Sequence, residues 1–263
     1  MALFESKNPT LSPAKFRDTV IGETITDQNA MTVNGTLNKF GFLFLMMLGG
    51  AYYSWKEAVN YGDNTWTLVL IGVFGGLGVA IAISVKKEWS PYLAPLYAIL
   101  EGLFVGAISA FYEYKFGSRQ GAYDGGYSGI VVQAVGLTFA VVTAMFFLYK
   151  FKIIQATERF KTIILTATAG IAIFYLVCWG LILFHANVPS FVFQGTPIGI
   201  GFSVLVVALA ALFLILDFDM IEKGVETGAP KYMEWYGAFG LLVTIVWLYL
   251  EILRLLSKLS SRK

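Results

Sequence analysis

Seven apolar stretches, each near the length of a membrane span, take up most of this chain. They cover approximately Leu37–Trp55, Trp66–Val85, Tyr92–Tyr112, Ser128–Tyr149, Thr162–Phe184, Ile198–Leu216 and Trp235–Leu256. A helix needs about 20 mostly apolar residues to cross the hydrocarbon core. Only 14% of the 263 residues are charged, against about 25% in soluble domains. The expected fold is therefore all-α and integral to the membrane, a seven-transmembrane helix bundle in a lipid bilayer. Connections are short, so helices adjacent in sequence are expected to be antiparallel neighbours. Three domains follow: a mobile polar N-terminal tail over 1–36, the seven-helix domain over 37–258, and a basic C-terminal end over 259–263. Residues 1–36 hold no apolar core of a cleavable signal, so the first stretch is expected to serve as an uncleaved first span. Asn34 and Thr36 are its expected caps.

Several functions are disfavoured by composition. The net charge of +2 and the lack of a basic cluster interleaved with aromatics argue against a nucleic-acid partner. The single Cys178 and the single His185 cannot form an intrachain disulfide or a zinc site. No Ser/His/Asp set, HExxH or phosphate loop is present, so neither an enzyme nor a bound cofactor is expected.

Lysine and arginine counts give an orientation. The side holding the N-terminal tail carries 12 basic residues and the other side 7; in the internal loops alone the counts are 8 and 3. The N-terminus is therefore expected in the cytoplasm. Seven crossings put the C-terminus outside, whereas a last run that re-entered would keep the basic tail inside.

Carboxylates at membrane depth are costly, about 2.5–3.5 kcal/mol at a helix centre. Glu101 lies nine residues into the third stretch, about 14 Å along it and close to mid-bilayer. It is either a protonated acid bonded to a neighbouring helix or a proton or cation site. Asp217 and Asp219 end the sixth run and point to nearly opposite helix faces. Asp217 is the better inward candidate; Asp219, with Glu222 and Lys223, fits a solvated helix end. Glu251 and Arg254 stand three apart, the spacing of a local ion pair. Gln133 and Asn38 are lesser polar candidates. Glycines recur inside the runs, among them Gly72 and Gly76, and Gly102 and Gly106. Small residues at this spacing let helices approach closely, and thin helices also leave space beside a carboxylate.

The segments LILDFDMIEKG, GAPKYMEWYGAFGLLVTIVWLYLEILRLL, YAILEGLFVGAISAFYE, SGIVVQAVGLTFAV and MTVNGTLNK resemble the Bax inhibitor-1/YccA superfamily, closest to its bacterial Bax-inhibitor-1-like branch. The resemblance implies a seven-helix fold with the seventh helix central, in the bacterial inner membrane. It also implies a pH-sensitive calcium leak channel, gated by two carboxyl groups that share a proton or hydrogen bond. Asp217 matches the first and Glu251 the second, with Glu in place of Asp. On this reading Asp217 and Glu251 sense pH, Glu101 and Asp219 are ion-path candidates, Arg254 is the charge partner, and Ca²⁺ binds transiently at Asp217 and Glu101. The permeant species is a calcium ion or a proton. Glu251 lies about 24 Å along a helix that begins at Trp235, so contact with Asp217 requires that helix to start in the cytoplasm or sit deep. YccA-like relatives imply an alternative: a regulatory protein that binds a membrane protease of the FtsH type through the N-terminal tail.

Overall fold

The computed structural model describes residues 30–60, 65–117, 129–184 and 195–261. The expectations for the tail before residue 30, for His185 and for Arg262 and Lys263 lie outside the described residues. Among the described residues the chain forms α1 (Val33–Val59), α2 (Thr65–Val85), α3 (Ser90–Phe116), α4 (Ile130–Lys150), α5 (Glu158–Leu183), α6 (Pro197–Glu226) and α7 (Met233–Ser260). From α2 to α7, six helices are long and apolar enough to cross a membrane. The first, α1, has the length but is less apolar: Asn38 and Lys39 open its run and the Tyr52–Lys56 stretch closes it. The chain is a multi-pass helical membrane protein. Large apolar side chains such as Phe74, Phe139, Ile173 and Leu176 lie exposed on the outer helices, where a bilayer and not water is the compatible solvent.

Helix starts follow side-chain capping. The Thr32 side-chain oxygen accepts the Gly35 N–H at 3.0 Å, so α1 is capped by Thr32 and not by Asn34 or Thr36. Those two lie in its first turn, where the Thr36 hydroxyl donates to the Thr32 carbonyl at 2.9 Å. The helix thus begins inside the segment assigned to the polar tail. Thr157 and Thr196 cap α5 and α6 in the same way.

The main departure from the apolar pattern is at α6. It continues ten residues past the apolar run, to Glu226, and carries Asp217, Asp219 and Glu222 inside the helix. Polar side chains there find partners, so the end of the apolar run is not the end of the helix. The connection expected over Asp217–Glu234 shrinks to residues 227–232 and turns at Gly228, whose φ of +66° suits a residue without Cβ. In the last element, α7 is unbroken over 28 residues, about 42 Å. It offers no break at which the last run could re-enter.

Packing is also not simply between sequence neighbours. The main partner of α1 is α3. A Cβ on Gly102 would overlap the Met47 carbonyl, and one on Gly106 the Ala51 carbonyl; one on Gly50 would meet the Ile99 carbonyl oxygen at 2.6 Å. The pairs Met47–Gly102 and Ala51–Gly106 advance together, so α1 and α3 run parallel with backbones in contact. Close approach of this kind is how helices associate where burial from water offers no drive. Against these two lies α7, which also packs on α4 and α6. Of its apolar stretch 61% is buried, against 11% for α5, which packs on α6.

Candidate functional site

The buried charged side chains fall at four levels along α6 and α7. At the end where these two helices connect, Glu234 is 0% exposed. It pairs with Lys39 of α1 and, at 3.0 Å, with Lys231. It also accepts the N–H and hydroxyl of Thr32, each at 2.9 Å. Met31 N–H donates to the Ala229 carbonyl at 2.7 Å, and Ala30 bridges to Pro230. The start of the described chain is thereby fastened to the α6–α7 turn.

On the outer side of α6, Asp219 pairs with Lys161 at 2.9 Å and Lys223 at 3.0 Å, and Lys161 also holds Glu158 at 3.1 Å. Glu222, one turn further on, accepts the Tyr149 hydroxyl. Asp219 is thus a member of a charge network tying α5 to α6.

Asp217 faces the other way. It is 5% exposed, with Gly240 of α7 beside its Oδ1. The Thr244 hydroxyl is its side-chain partner and also reaches the Gly240 carbonyl at 3.2 Å. Among the described residues Asp217 Oδ2 has no hydrogen-bond partner, an arrangement that costs several kcal/mol for an ionised oxygen in an apolar surrounding.

Glu251, 3% exposed, is held higher on α7. Arg254 Nη1 donates to its Oε1 at 2.9 Å and to Oε2 at 3.2 Å. The same guanidinium nitrogen donates to the Tyr175 hydroxyl of α5 at 2.6 Å; that hydroxyl in turn lies 3.4 Å from Glu251 Oε1. One turn on, Lys258 is 2% exposed and donates to the Gly199 carbonyl at 3.0 Å and to Ser203 Oγ at 2.8 Å.

These contacts fix the antiparallel register of α6 on α7. Asp217 stands beside Thr244 and Ser203 beside Lys258, which sets Glu251 level with Ala210. Asp217 is seven residues lower, about 10 Å. The carboxyl pair implied by the resemblance is therefore not formed; each member has its own partners.

Glu101 stands on α3 away from both. Tyr97, one turn earlier, is its hydrogen-bond partner, and its Oε2 lies beside Gly76 of α2. Gly76 follows directly on a π-helical turn, Ile71–Gly75. Turns of this kind recur at functional sites. The Tyr97 ring meets Phe239 of α7 edge-on at 4.8 Å, about one turn nearer the α6–α7 connection than Glu101 and the Asp217–Thr244 level. Among the described residues no three His, Cys, Asp or Glu side chains converge as a metal site.

Thr244, Tyr175, Lys258, Glu234 and Lys39 carried no distinguishing signal in the sequence. The first two are ordinary residues of apolar runs, and the charged three sit at helix ends, where solvation is the default. The Tyr175 contact is testable. Tyr175→Phe is expected to lower stability by about 1 kcal/mol, the usual worth of a bond within a membrane bundle, read as a lower melting temperature in detergent. An unchanged melting temperature would show that the hydroxyl does not hold Arg254.

Parallel small-residue contacts, a largely buried last helix and carboxylates set between helices define a multi-pass protein with an acidic interior. The chain belongs to the Bax inhibitor 1 like family, whose model matches residues 8–261. No curated protein and no solved structure matches it.

Proposed function

We propose that this protein is a pH-sensitive cation leak pathway for Ca²⁺ in the bacterial inner membrane, with Asp217 as its gate. In this reading all seven helices cross the bilayer, α7 is the central helix and the N-terminus is cytoplasmic. The observation that carries it is the Asp217 carboxyl, buried between α6 and α7 with Thr244 as its side-chain partner and its Oδ2 without a partner among the described residues. Protonated, that group is compatible with closed α6–α7 packing. Ionised, it costs several kcal/mol unless water or a cation reaches it, so loss of the proton favours separation of the two helices. Hard oxygen ligands suit Ca²⁺, which takes six to eight of them. One carboxylate and one hydroxyl supply too few for tight retention, so the site favours passage. Glu251, pinned by Arg254 and Tyr175, forms a second gate about 10 Å away along α7. Glu101, beside Gly76 of α2, is a further candidate for the ion path outside the α6–α7 contact. The burial of Lys258 supports the orientation, because a cation bonded inside the bundle no longer counts as a tail charge against an outer C-terminus.

Calcium flux into liposomes, measured across pH, tests the reading. Asp217→Asn cannot ionise and is expected to give low flux at every pH. Glu251→Gln releases Arg254 and is expected to raise flux while leaving its pH dependence in place. Retention of a wild-type pH profile by Asp217→Asn would remove Asp217 as the gate.

A further inference from the structure

A groove of about 440 Å³ opens on the side of the bundle, away from the carboxylates. Its walls are the exposed side chains of α1 and α4, Leu48 and Tyr52 on one side, Val135 and Phe139 on the other. Its floor is buried and comes from α3 and α7, including Val105, Ser109, Ile245 and Tyr249. The one hydroxyl pair on that floor is closed on itself, with Ser109 Oγ and Tyr249 Oη 2.6 Å apart. Phe44 and Phe139 meet edge-on at 6.0 Å and shut the inner end.

We infer that this groove binds the acyl chain of a membrane phospholipid from the leaflet on the Trp55 side. Three observations name that occupant. The groove runs from Phe44 to Trp55 along α1, eleven residues or about 16 Å, which is half of a hydrocarbon core about 30 Å thick. Its open end carries Tyr52 and Trp55, the residue types that mark the headgroup level. Lys56 stands one turn beyond Tyr52 on the same face and has no ion pair among the described residues. It is placed to meet a lipid phosphate. Glu113, the carboxylate beside Val131, is turned to the α4 N-terminus, where it accepts the Val131 N–H at 3.0 Å. A slot this apolar takes hydrocarbon; the exposed walls alone would be wetted by any annular lipid, but the floor is reached only by a chain seated between them.

The full-length protein, reconstituted in vesicles of phosphatidylglycerol and phosphatidylethanolamine doped with a phosphatidylglycerol bearing a photoactivatable acyl chain, tests this. Cross-links mapped by peptide mass are expected on the floor segments around Val105–Ser109 and Ile245–Tyr249. Val135→Trp, which narrows the slot from its lipid-facing wall without touching the core, is expected to lose the floor cross-links and keep those on Leu48 and Tyr52. Lys56→Glu is expected to reduce floor labelling severalfold. Labels confined to the outer walls in the wild type would overturn the proposal, as would floor labelling that Val135→Trp leaves intact. A second copy of the chain in the groove would block the floor and cross-link as a dimer, and would equally overturn it.

Discussion

Gly106→Val is expected to abolish recovery of folded protein. The atoms that a new side chain would meet are the Ala51 carbonyl oxygen, Cα and carbonyl carbon. These are backbone atoms in the middle of a helix and cannot turn aside as a flexible side chain can. Overpacking of a core normally costs about 1–3 kcal/mol; here α1 must move off α3 as a body, so the cost exceeds that range. Total stabilities of about 5–15 kcal/mol leave little margin. Gly102→Val is expected to behave alike, because its contacts are the Met47 carbonyl and the Ala51 nitrogen. Gly78 and Gly136 are the controls: nothing lies within 4 Å of a Cβ on either. Alanine there is expected to be neutral or to stabilise by up to about 1 kcal/mol through helix propensity. The monodisperse fraction on size exclusion and the melting temperature in detergent distinguish the two classes. A Gly106→Val protein with wild-type melting would mean that α1 and α3 do not share a backbone contact.

The contrast between these glycines shows where the sequence was readable. Apolar runs announce helices in a membrane chain because each span must be apolar throughout its length, and all seven helices lie over the stretches expected. The runs did not announce helix ends. Asp217, Asp219 and Glu222 read as the close of α6, yet the helix continues because partners on α4, α5 and α7 receive those side chains. Spacing was informative wherever the relevant geometry is local: the two-residue step from Asp217 to Asp219 separates an inner from an outer face, and the three-residue step from Glu251 to Arg254 makes an ion pair. Long-range pairing left no local trace. Tyr175 meets Arg254 across 79 residues and Lys39 meets Glu234 across 195. Antiparallel neighbours were expected from short loops alone, whereas α1 chose α3 because glycine faces allow it. Hydropathy ranks segments but cannot say which faces fit together.

The largest electrostatic effect is expected at Glu234. Its carboxylate is fully buried and gathers Lys39, Lys231 and Thr32. Removing one member of a buried ion pair typically costs about 3–5 kcal/mol. Lys39 and Lys231 retain some access to solvent, so Glu234→Ala is expected near the lower end, about 3 kcal/mol. The loss is also local: the Thr32 N–H loses its acceptor, and amide exchange at Met31 and Thr32 is expected to rise well before exchange in the core of α7. A second substitution makes the test specific. A Cβ on Gly35 would overlap the Glu234 carboxylate, so Gly35→Ala in the wild type must displace that group and is expected to destabilise. In the Glu234→Ala background the obstacle is gone. The same Gly35→Ala change then gains helix propensity, up to about 1 kcal/mol, and its effect reverses sign. Contacting residues are expected to be non-additive, but a reversal requires that Gly35 be glycine because of Glu234. If Gly35→Ala has the same effect in both backgrounds, the glutamate does not occupy the space beside α1, and the fastening of the N-terminal segment to the α6–α7 turn must rest on the Met31 and Ala30 backbone bonds alone.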